Sequence, residues 1–565
     1  MYTDGTVFGE ADLLAGHLGD FIDLCVDMHG DNDAFTCVLP TGHHATLTHR
    51  QLGKYSDAVA AYLRDGLGLN QGDVVAIQAP NVLGYPVLAF GIMKAGLTVT
   101  NVNPLYTVEE AQHQLKDSHA KVLFVIDLFG DRVKGSIDGT EVRHVYKLSL
   151  LDFFPQPTRA ILGFALKHIK KLVPPFSVKS EGTLMDVVKE GRRLLDAGAE
   201  PKFYREGRGL NDIAFYQYTG GTTGRSKGAA LTHRNVIANM SQSSKRSAGL
   251  IAENDSMLLV LPLYHVYALA VGAMASMHNG VHVVLVPVPR PIVNLKHAFE
   301  KFDITVMPGV NTLFLGLMQE GWFRENPPKT LRMCFAGAAP LQPATAQAWT
   351  DLTGAPIYEG YGLTEGTCIV TSTPFTEQPR PGSCGKPMPG TVLRIVGEDG
   401  RDLPPGEPGE LWIKGPQVML GYLNAPEATA AILADGWLRT GDIAKVDDEG
   451  YLYIVDRLKD MVIVSGFNVF PTDIESVLTR HSRINDAAVV GVPDHETGER
   501  VVAYVVPGDN ELTPEEVRDY CREHLTGYKV PKSVVLIDEL PKSPVGKVLR
   551  RELRDRARID FASVA

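Results

Sequence analysis

Apolar residues in the first part of this chain fall in short, near-continuous runs. Residues 73–78, 121–126, 256–261, 281–286 and 304–307 are such runs, and stretches of helical periodicity separate them. A strand that is apolar on both faces must be covered on both faces. Such strands alternating with helices predict parallel sheets of the α/β class. Pro80 and Asn81 close the first run, and a helix is predicted from there towards Lys94. Between about 383 and 455 the pattern changes to short strands bounded by Gly, Pro and Asp, as at 391–396, 409–413 and 451–454, which predicts antiparallel β-structure. A charged knot at 456–460 follows, and a small α+β segment runs from it to the end. The boundary is placed at that knot, giving an N-terminal domain of 1–456 with a β-rich part of about 383–455, and a C-terminal domain of 457–565.

One stretch has a different pattern. Across 159–173, Leu162, Ala165, Leu166, Ile169, Leu172 and Val173 share one helical face, with Lys167 and Lys171 opposite and Lys170 at the edge. That arrangement suits a helix lying in a membrane interface. It also suits a surface helix packed on its own domain.

A length of 565 residues exceeds what one core supports, so several domains are expected. A formal charge of −11 excludes a general nucleic-acid binder, which would carry a basic footprint. Cys25, Cys37, Cys334, Cys368, Cys384 and Cys521 are scattered without a paired spacing, pointing to free thiols in a reducing compartment. The first residues lack the basic and apolar regions of a signal peptide, and no apolar run approaches the ~20 residues of a membrane span. A cytoplasmic protein is expected.

The densest chemistry lies at 218–228. Gly220, Gly221, Gly224 and Gly228 alternate there with Thr219, Thr222, Thr223 and Ser226, and Lys227 stands near the end. Glycines let an anion approach backbone N–H groups, hydroxyls add donors, and the lysine adds charge, which together suit a polyphosphate. The Walker pattern requires Ser or Thr directly after the lysine. Here Lys227 is followed by Gly228 and a run, 229–232, that reads as a strand. The loop is therefore a nucleotide loop of another kind.

Three further motifs follow in order. At 358–365, Glu365 is placed to hold Mg²⁺ through oxygen and Tyr361 to stack on a base, although the stretch also reads as a strand-to-helix turn. At 436–442, Asp442 ends a segment that reads equally as a ribose-binding carboxylate or a hairpin turn. At 541–551, Lys547 follows a Pro/Gly-restricted loop and would meet developing negative charge, or belong to a solvated basic tail.

Their joint occurrence resembles the adenylate-forming superfamily of acyl- and aryl-CoA synthetases, luciferases and peptide-synthetase adenylation domains. The similarity is greatest to bacterial long-chain fatty-acyl-CoA synthetases. It extends over nearly the whole chain, through 101–106, 261–265, 415–422, 464–469 and 525–531. The resemblance implies two doubly wound subdomains, an antiparallel β-barrel subdomain and a small mobile α+β C-terminal domain. It implies MgATP and CoA as co-substrates and a fatty acid as the acid activated.

By the same resemblance, Thr219, Gly220, Gly221, Thr222, Thr223, Gly224 and Lys227 would wrap the β- and γ-phosphates, with Thr219 near the metal. Thr364 and Glu365 would meet the α-phosphate and Mg²⁺. Gly337, Ala338, Ala339, Tyr361 and Gly362 would enclose the adenine, and Asp442 and Arg457 would hold the ribose. Lys547 would bridge carboxylate and α-phosphate oxygens. Lys459 would be the hinge about which Ser465, Gly466 and Phe467 come in to form the pantetheine tunnel, with Gly466 keeping it wide. His265 would sit where acyl and thiol paths meet, in a positioning role. The acyl channel is expected along 307–314 and near Gly337. The tryptophan that gates some long-chain members is missing from 265–269, which leaves chain length open.

Medium-chain, dicarboxylic or aryl acids remain alternative substrates, as does transfer to a carrier protein instead of CoA. A nucleotide-binding scaffold without catalysis is disfavoured by Lys547, Glu365 and Asp442 together. A P-loop phosphotransferase would release ADP rather than AMP. Oligomeric state is open, a homodimer included.

Overall fold

The computed structural model describes all residues except 220–224, 248, 510, 544–545 and 562–565. Val74–Gln78, buried at all its positions, lies between Thr98–Asn101 and Ala120–Ile126 in parallel pairing. Helix Gly84–Lys94 is buried along its whole length. Its terminal Lys94 is tolerated there because its ammonium meets Asp23 at 2.6 Å and Asp57 at 2.8 Å.

Two large sheets carry the body of the molecule. An eight-stranded sheet centres on Val74–Gln78, and a nine-stranded sheet contains Ser256–Leu259, His282–Leu285, Val306–Gly309, Met333–Ala336 and Ile357–Tyr361. Both are mixed rather than all-parallel. The parallel centre of the first gains the antiparallel pair Ile213–Thr219 and Lys227–Thr232 at one side, with Gly421–Tyr422 beyond. The second ends in antiparallel Thr371–Ser372 and Lys386–Pro387 at one edge and His44–Thr48 at the other. Among the described residues, no helical crossover joins Asp33–Val38 to His44–Thr48 or Ile213–Thr219 to Lys227–Thr232, so these neighbours pair antiparallel, whereas Gly421–Tyr422 arrives from a distant part of the chain.

The β-rich part forms a five-stranded antiparallel sheet containing Val392–Val396, Gly409–Lys414, Trp437–Val446 and Leu452–Arg457. Residues 462–561 build another sheet with apolar clusters of their own around Val489, Ala503 and Val505, and around Val490, Val502 and Tyr504. This unit touches the rest through Thr479, whose hydroxyl lies 3.4 Å from Gln342 Oε1, and through Gly546.

The amphipathic stretch is a helix, Thr158–Phe164, that widens into a π-helical turn over Ala165–Ile169. The wider turn shifts the phase of the apolar residues. Leu162 and Leu166 pack on the core, but Ile169 and Leu172, expected on the same face, are 69% and 52% exposed. Ile161 and Phe164 join them at 63% and 60% exposed. The stretch is thus a helix packed on its own domain that also presents a second apolar stripe to solvent. Among the described residues, no helix is long and apolar enough to cross a membrane.

Candidate active site

The site lies outside the carboxyl ends of the strands, where open α/β sheets bind ligands. Strand Ile213–Thr219 leads into the glycine loop, and the chain returns as strand Lys227–Thr232, with Thr219 and Lys227 as the last pair of the ladder. Lys227 therefore opens a strand, not a helix, as the run 229–232 predicts. Gly220, Gly221, Thr222, Thr223 and Gly224 lie outside the described residues. The return of the loop is tied down by His113, whose Nε2 is 2.9 Å from the Ser226 carbonyl.

Strand Gly421–Tyr422 pairs with Ala229 and Ala230, which brings Tyr422 beside the start of the lysine strand. Lys227 Nζ lies 5.4 Å from the centre of the Tyr422 ring, within cation–π range. The Tyr422 hydroxyl donates to Glu365 Oε1 at 2.6 Å. Glu365 follows Thr364 in a short 3₁₀ turn, Thr364–Gly366, directly after strand Ile357–Tyr361. Its carbonyl accepts from the Met419 amide at 2.8 Å, a second tie between the turn and the segment bearing Tyr422. Burial, then the Glu365 charge, raises the Tyr422 pKa, so its phenol remains a donor.

Tyr361 and Asp442 meet in the same way. The Tyr361 hydroxyl donates to Asp442 Oδ2 at 2.5 Å, and Arg457 Nε approaches Asp442 Oδ1 at 3.1 Å. Asp442 and Arg457 face each other in the ladder between Trp437–Val446 and Leu452–Arg457, so strand register fixes the ion pair. Burial pushes the Tyr361 pKa well up, with Asp442 adding to it. Gly337, Ala338 and Ala339 form the turn after Met333–Ala336, and Ala338 holds φ +66°. A Cβ on Gly337 would lie 3.4 Å from the Gly360 carbonyl and 3.6 Å from the Tyr267 ring. A Cβ on Gly362 would overlap the Cys368 carbonyl, so only glycine fits there.

Lys547 reaches this cluster from the C-terminal unit. Ser543 N donates to the Lys547 carbonyl at 2.8 Å, and Lys547 N to Ser543 Oγ at 3.1 Å. Gly546, at φ +78°, lies so close to the large domain that a Cβ would sit 3.2 Å from Val310 Cγ2. Behind the loop, Arg550 pairs with the buried Glu475 at 2.5 Å, and Arg554 with Asp460 at 2.9 Å. The Lys547 pKa is lowered to about 7, chiefly by burial. The Arg457 charge contributes to that lowering, and Asp442 opposes it. The exposed Lys459 is lowered to about 8 by desolvation and then by Arg457.

His265 is lowered to about 4 by burial and then by the Lys547 charge, so it is neutral near pH 7. Its Nδ1 accepts from the Tyr267 amide at 3.3 Å, which leaves the ring proton on Nε2. Ser465, Gly466 and Phe467 are not brought to this cluster. They form an exposed turn at φ +51° and +84° for the first two, and Phe467 stacks on Tyr528 with centroids 4.7 Å apart.

A cavity lined by Leu261, His265, Tyr267, Gly337, Ala338 and Tyr361 extends inward past Leu259 and Met257. Of the stretch 307–314, expected to line the acyl channel, only Pro308 does so. The walls come mainly from 257–279 and 335–375. Glu359 is part of the wall, and burial raises its carboxyl to about 8. Tyr422, Tyr267 and Glu359 have no role assigned from sequence, although they lie within 415–422, 265–269 and 358–365.

The donor set fits a hard divalent cation held chiefly by phosphate oxygens. Mg²⁺ in such sites takes one or two carboxylates and completes its shell with phosphate and water. Glu365 supplies one carboxylate, and Thr219 stands at the head of the phosphate loop.

Residues 23–423 match the family of AMP-binding enzymes, and residues 473–547 the AMP-binding enzyme C-terminal domain. The long-chain-fatty-acid–CoA ligase of Yersinia pestis is 45% identical over 510 residues, 90% of each chain. That of Escherichia coli O6:H1 is 43% identical over 542 residues, 96% of this chain and 94% of its own. Among solved structures, ATP-bound MatB from Rhodopseudomonas palustris superposes with a TM-score of 0.80 at 28% identity, covering 96% of this chain and 99% of its own. An anthranilate CoA ligase in complex with anthranoyl-AMP shares the fold at a TM-score of 0.82 and 24% identity, covering 98% of this chain and 100% of its own.

Proposed function

The chain belongs to the family of AMP-binding enzymes, and on that footing we propose that it is a long-chain fatty-acid–CoA ligase. The observation that carries the reading is the docking of Gly546 against Val310 and Thr312 of the large domain, which puts the adjacent Lys547 within electrostatic reach of Asp442, Arg457 and His265, the last on the wall of an apolar cavity.

In the first step a fatty-acid carboxylate oxygen attacks the α-phosphorus of ATP. A carboxyl O–P bond forms, the bond to pyrophosphate breaks, and acyl-AMP results. Lys547 neutralises charge on the carboxylate and α-phosphate oxygens while Thr364 orients the phosphate. Lys227 and the loop from Thr219 receive the pyrophosphate, and Asp442 with Arg457 grips the ribose. Tyr361, Gly337, Ala338, Ala339 and Gly362 shape the adenine slot. Mg²⁺, held by Glu365 and Thr219, would neutralise phosphate charge.

In the second step the C-terminal domain, 457–565, turns about Lys459 away from the domain of 1–456. Lys547 withdraws, and Ser465, Gly466 and Phe467 come in to line the pantetheine path. The CoA sulfur attacks the acyl carbon and AMP leaves. His265, neutral and with Nδ1 occupied, presents Nε2–H and positions the reacting groups. The exposed stripe Ile161, Phe164, Ile169 and Leu172, with Lys167, Lys170 and Lys171 beside it, suits peripheral contact with an anionic membrane face, from which long-chain acids would be drawn.

AMP release across a panel of acids tests the substrate class. Palmitate and oleate are expected to lead, and octanoate or an aryl acid better by about tenfold in kcat/KM would overturn it.

A further inference from the structure

The cavity has two chemically different ends. Met257, Leu259 and Leu261 line it at alternate positions along one strand and its extension, about 13 Å at roughly 3.3 Å per residue. Leu261, His265 and Gly337 mark the reacting end. Met257 marks the other, at the amino edge of the sheet, where an acyl channel would be expected to close on aliphatic side chains.

It closes there on Ile251, Phe335 and Tyr358, packed about Met257, and with them on the polar groups of Ser243, Arg246, Ser276 and Asn279. Arg246 lies in the last turn of helix His233–Ser247, and that turn is pinned to the start of the strand. Leu250 N donates to the Ser247 carbonyl at 2.8 Å, the Leu250 carbonyl accepts from Arg332 at 2.5 Å, and Arg332 also pairs with Asp255. The Arg246 side chain is 10% exposed. One terminal nitrogen donates to the Pro387 carbonyl and lies 3.7 Å from Asp4 Oδ2, while Nε finds no hydrogen-bond partner among the described residues.

An incompletely paired, buried guanidinium facing a hydrocarbon end is unfavourable, because the methyl group offers no acceptor. Asp4 already balances the charge, so a second carboxylate would be repelled by it. A neutral oxygen acceptor meets both conditions. We propose that the distal end of the acyl cavity, built on Arg246, recognises a hydroxyl or carbonyl oxygen at the far end of the chain, so that the preferred acids are ω-oxygenated long-chain fatty acids. This rests on the CoA-ligase reading and adds the substrate class within it.

The test compares kcat/KM for ω-hydroxypalmitate, palmitate and the dicarboxylic analogue of palmitate in the wild type and in Arg246→Met. The wild type is expected to favour ω-hydroxypalmitate over palmitate by about tenfold or more. Arg246→Met is expected to abolish that preference while retaining palmitate turnover. Equal or lower kcat/KM for ω-hydroxypalmitate in the wild type, or a preference that persists in Arg246→Met, overturns the proposal. Preference for the dicarboxylic acid over the hydroxy acid overturns its neutral-acceptor form. If Arg246→Met does not fold, Asn279→Leu, which leaves the ties to Pro387 and Asp4 intact, must lower the same ratio; an unchanged ratio overturns the proposal. Failure of the wild type to activate any of the three acids contradicts the ligase reading itself.

Discussion

The hydroxyl of Tyr422 donates to Glu365 Oε1 at 2.6 Å, and the same ring lies under the ammonium of Lys227. One aromatic side chain thus links the start of the lysine strand to the carboxylate assigned to the metal. A hydrogen bond to a charged group contributes about 1.5–3 kcal/mol. Tyr422→Phe, which keeps the ring and removes the donor, is expected to lower the adenylation rate by about tenfold or more, with a smaller change in KM for ATP. Pyrophosphate exchange measures this, and an unchanged rate would separate Tyr422 from the function of Glu365.

Gly546 closes the contact between the two parts of the molecule at φ +78°, against Val310 and Thr312. A side chain there pays a left-handed backbone cost of about 1–2 kcal/mol and meets Val310 as well. Gly546→Ala is expected to slow acyl-AMP formation by about tenfold. Thioester formation from supplied acyl-AMP should be unaffected, because the proposed second step has Lys547 withdrawn. Equal losses in both half-reactions would contradict the two-position account.

The Lys547 pKa, lowered to about 7, gives a pH signature. In the proposed mechanism the charged form acts, and raising the pH removes it, so kcat/KM for adenylation, which reports the free enzyme, should fall as pH rises through about 7. Lys547→Arg remains charged throughout, so its profile should lose that fall even at a lower absolute rate. A wild-type profile flat well above neutrality would exclude Lys547 as the titrating cation.

The stripe of Ile161, Phe164, Ile169 and Leu172 should bind anionic vesicles. Each lysine near such a surface contributes about 1 kcal/mol, so replacing Lys167, Lys170 and Lys171 with Gln should weaken partitioning by roughly a hundredfold. Co-sedimentation with phosphatidylglycerol vesicles measures this, with phosphatidylcholine vesicles as the comparison. Equal binding by the triple variant, or no binding by the wild type, would remove the membrane contact.

Much of the fold was legible because local pattern and tertiary environment agree. The apolar run at 73–78 is a strand buried on both faces, and Lys227 begins a strand as its neighbours require. Asp442 and Arg457 lie in segments predicted as β, and register then pairs them. What the sequence concealed depends on long-range meetings or on local irregularity. Tyr422 and Glu365 are 57 positions apart and meet only because a two-residue strand docks on the lysine strand. The π-helical turn at Ala165–Ile169 leaves no signature in a 3.6-residue pattern, and it moved Ile169 and Leu172 to solvent. Arg246 reads as one more surface cation near a helix end until the cavity behind it is seen.

The central claim is adenylation followed by transfer to CoA, and ATP labelled at the α-phosphate tests it most directly. With palmitate or ω-hydroxypalmitate, Mg²⁺ and no CoA, the account predicts labelled acyl-AMP and an equal amount of pyrophosphate. Adding CoA should then convert the acyl-AMP to labelled AMP and acyl-CoA. Release of labelled ADP, or acyl-CoA formed without passage through acyl-AMP, would contradict it.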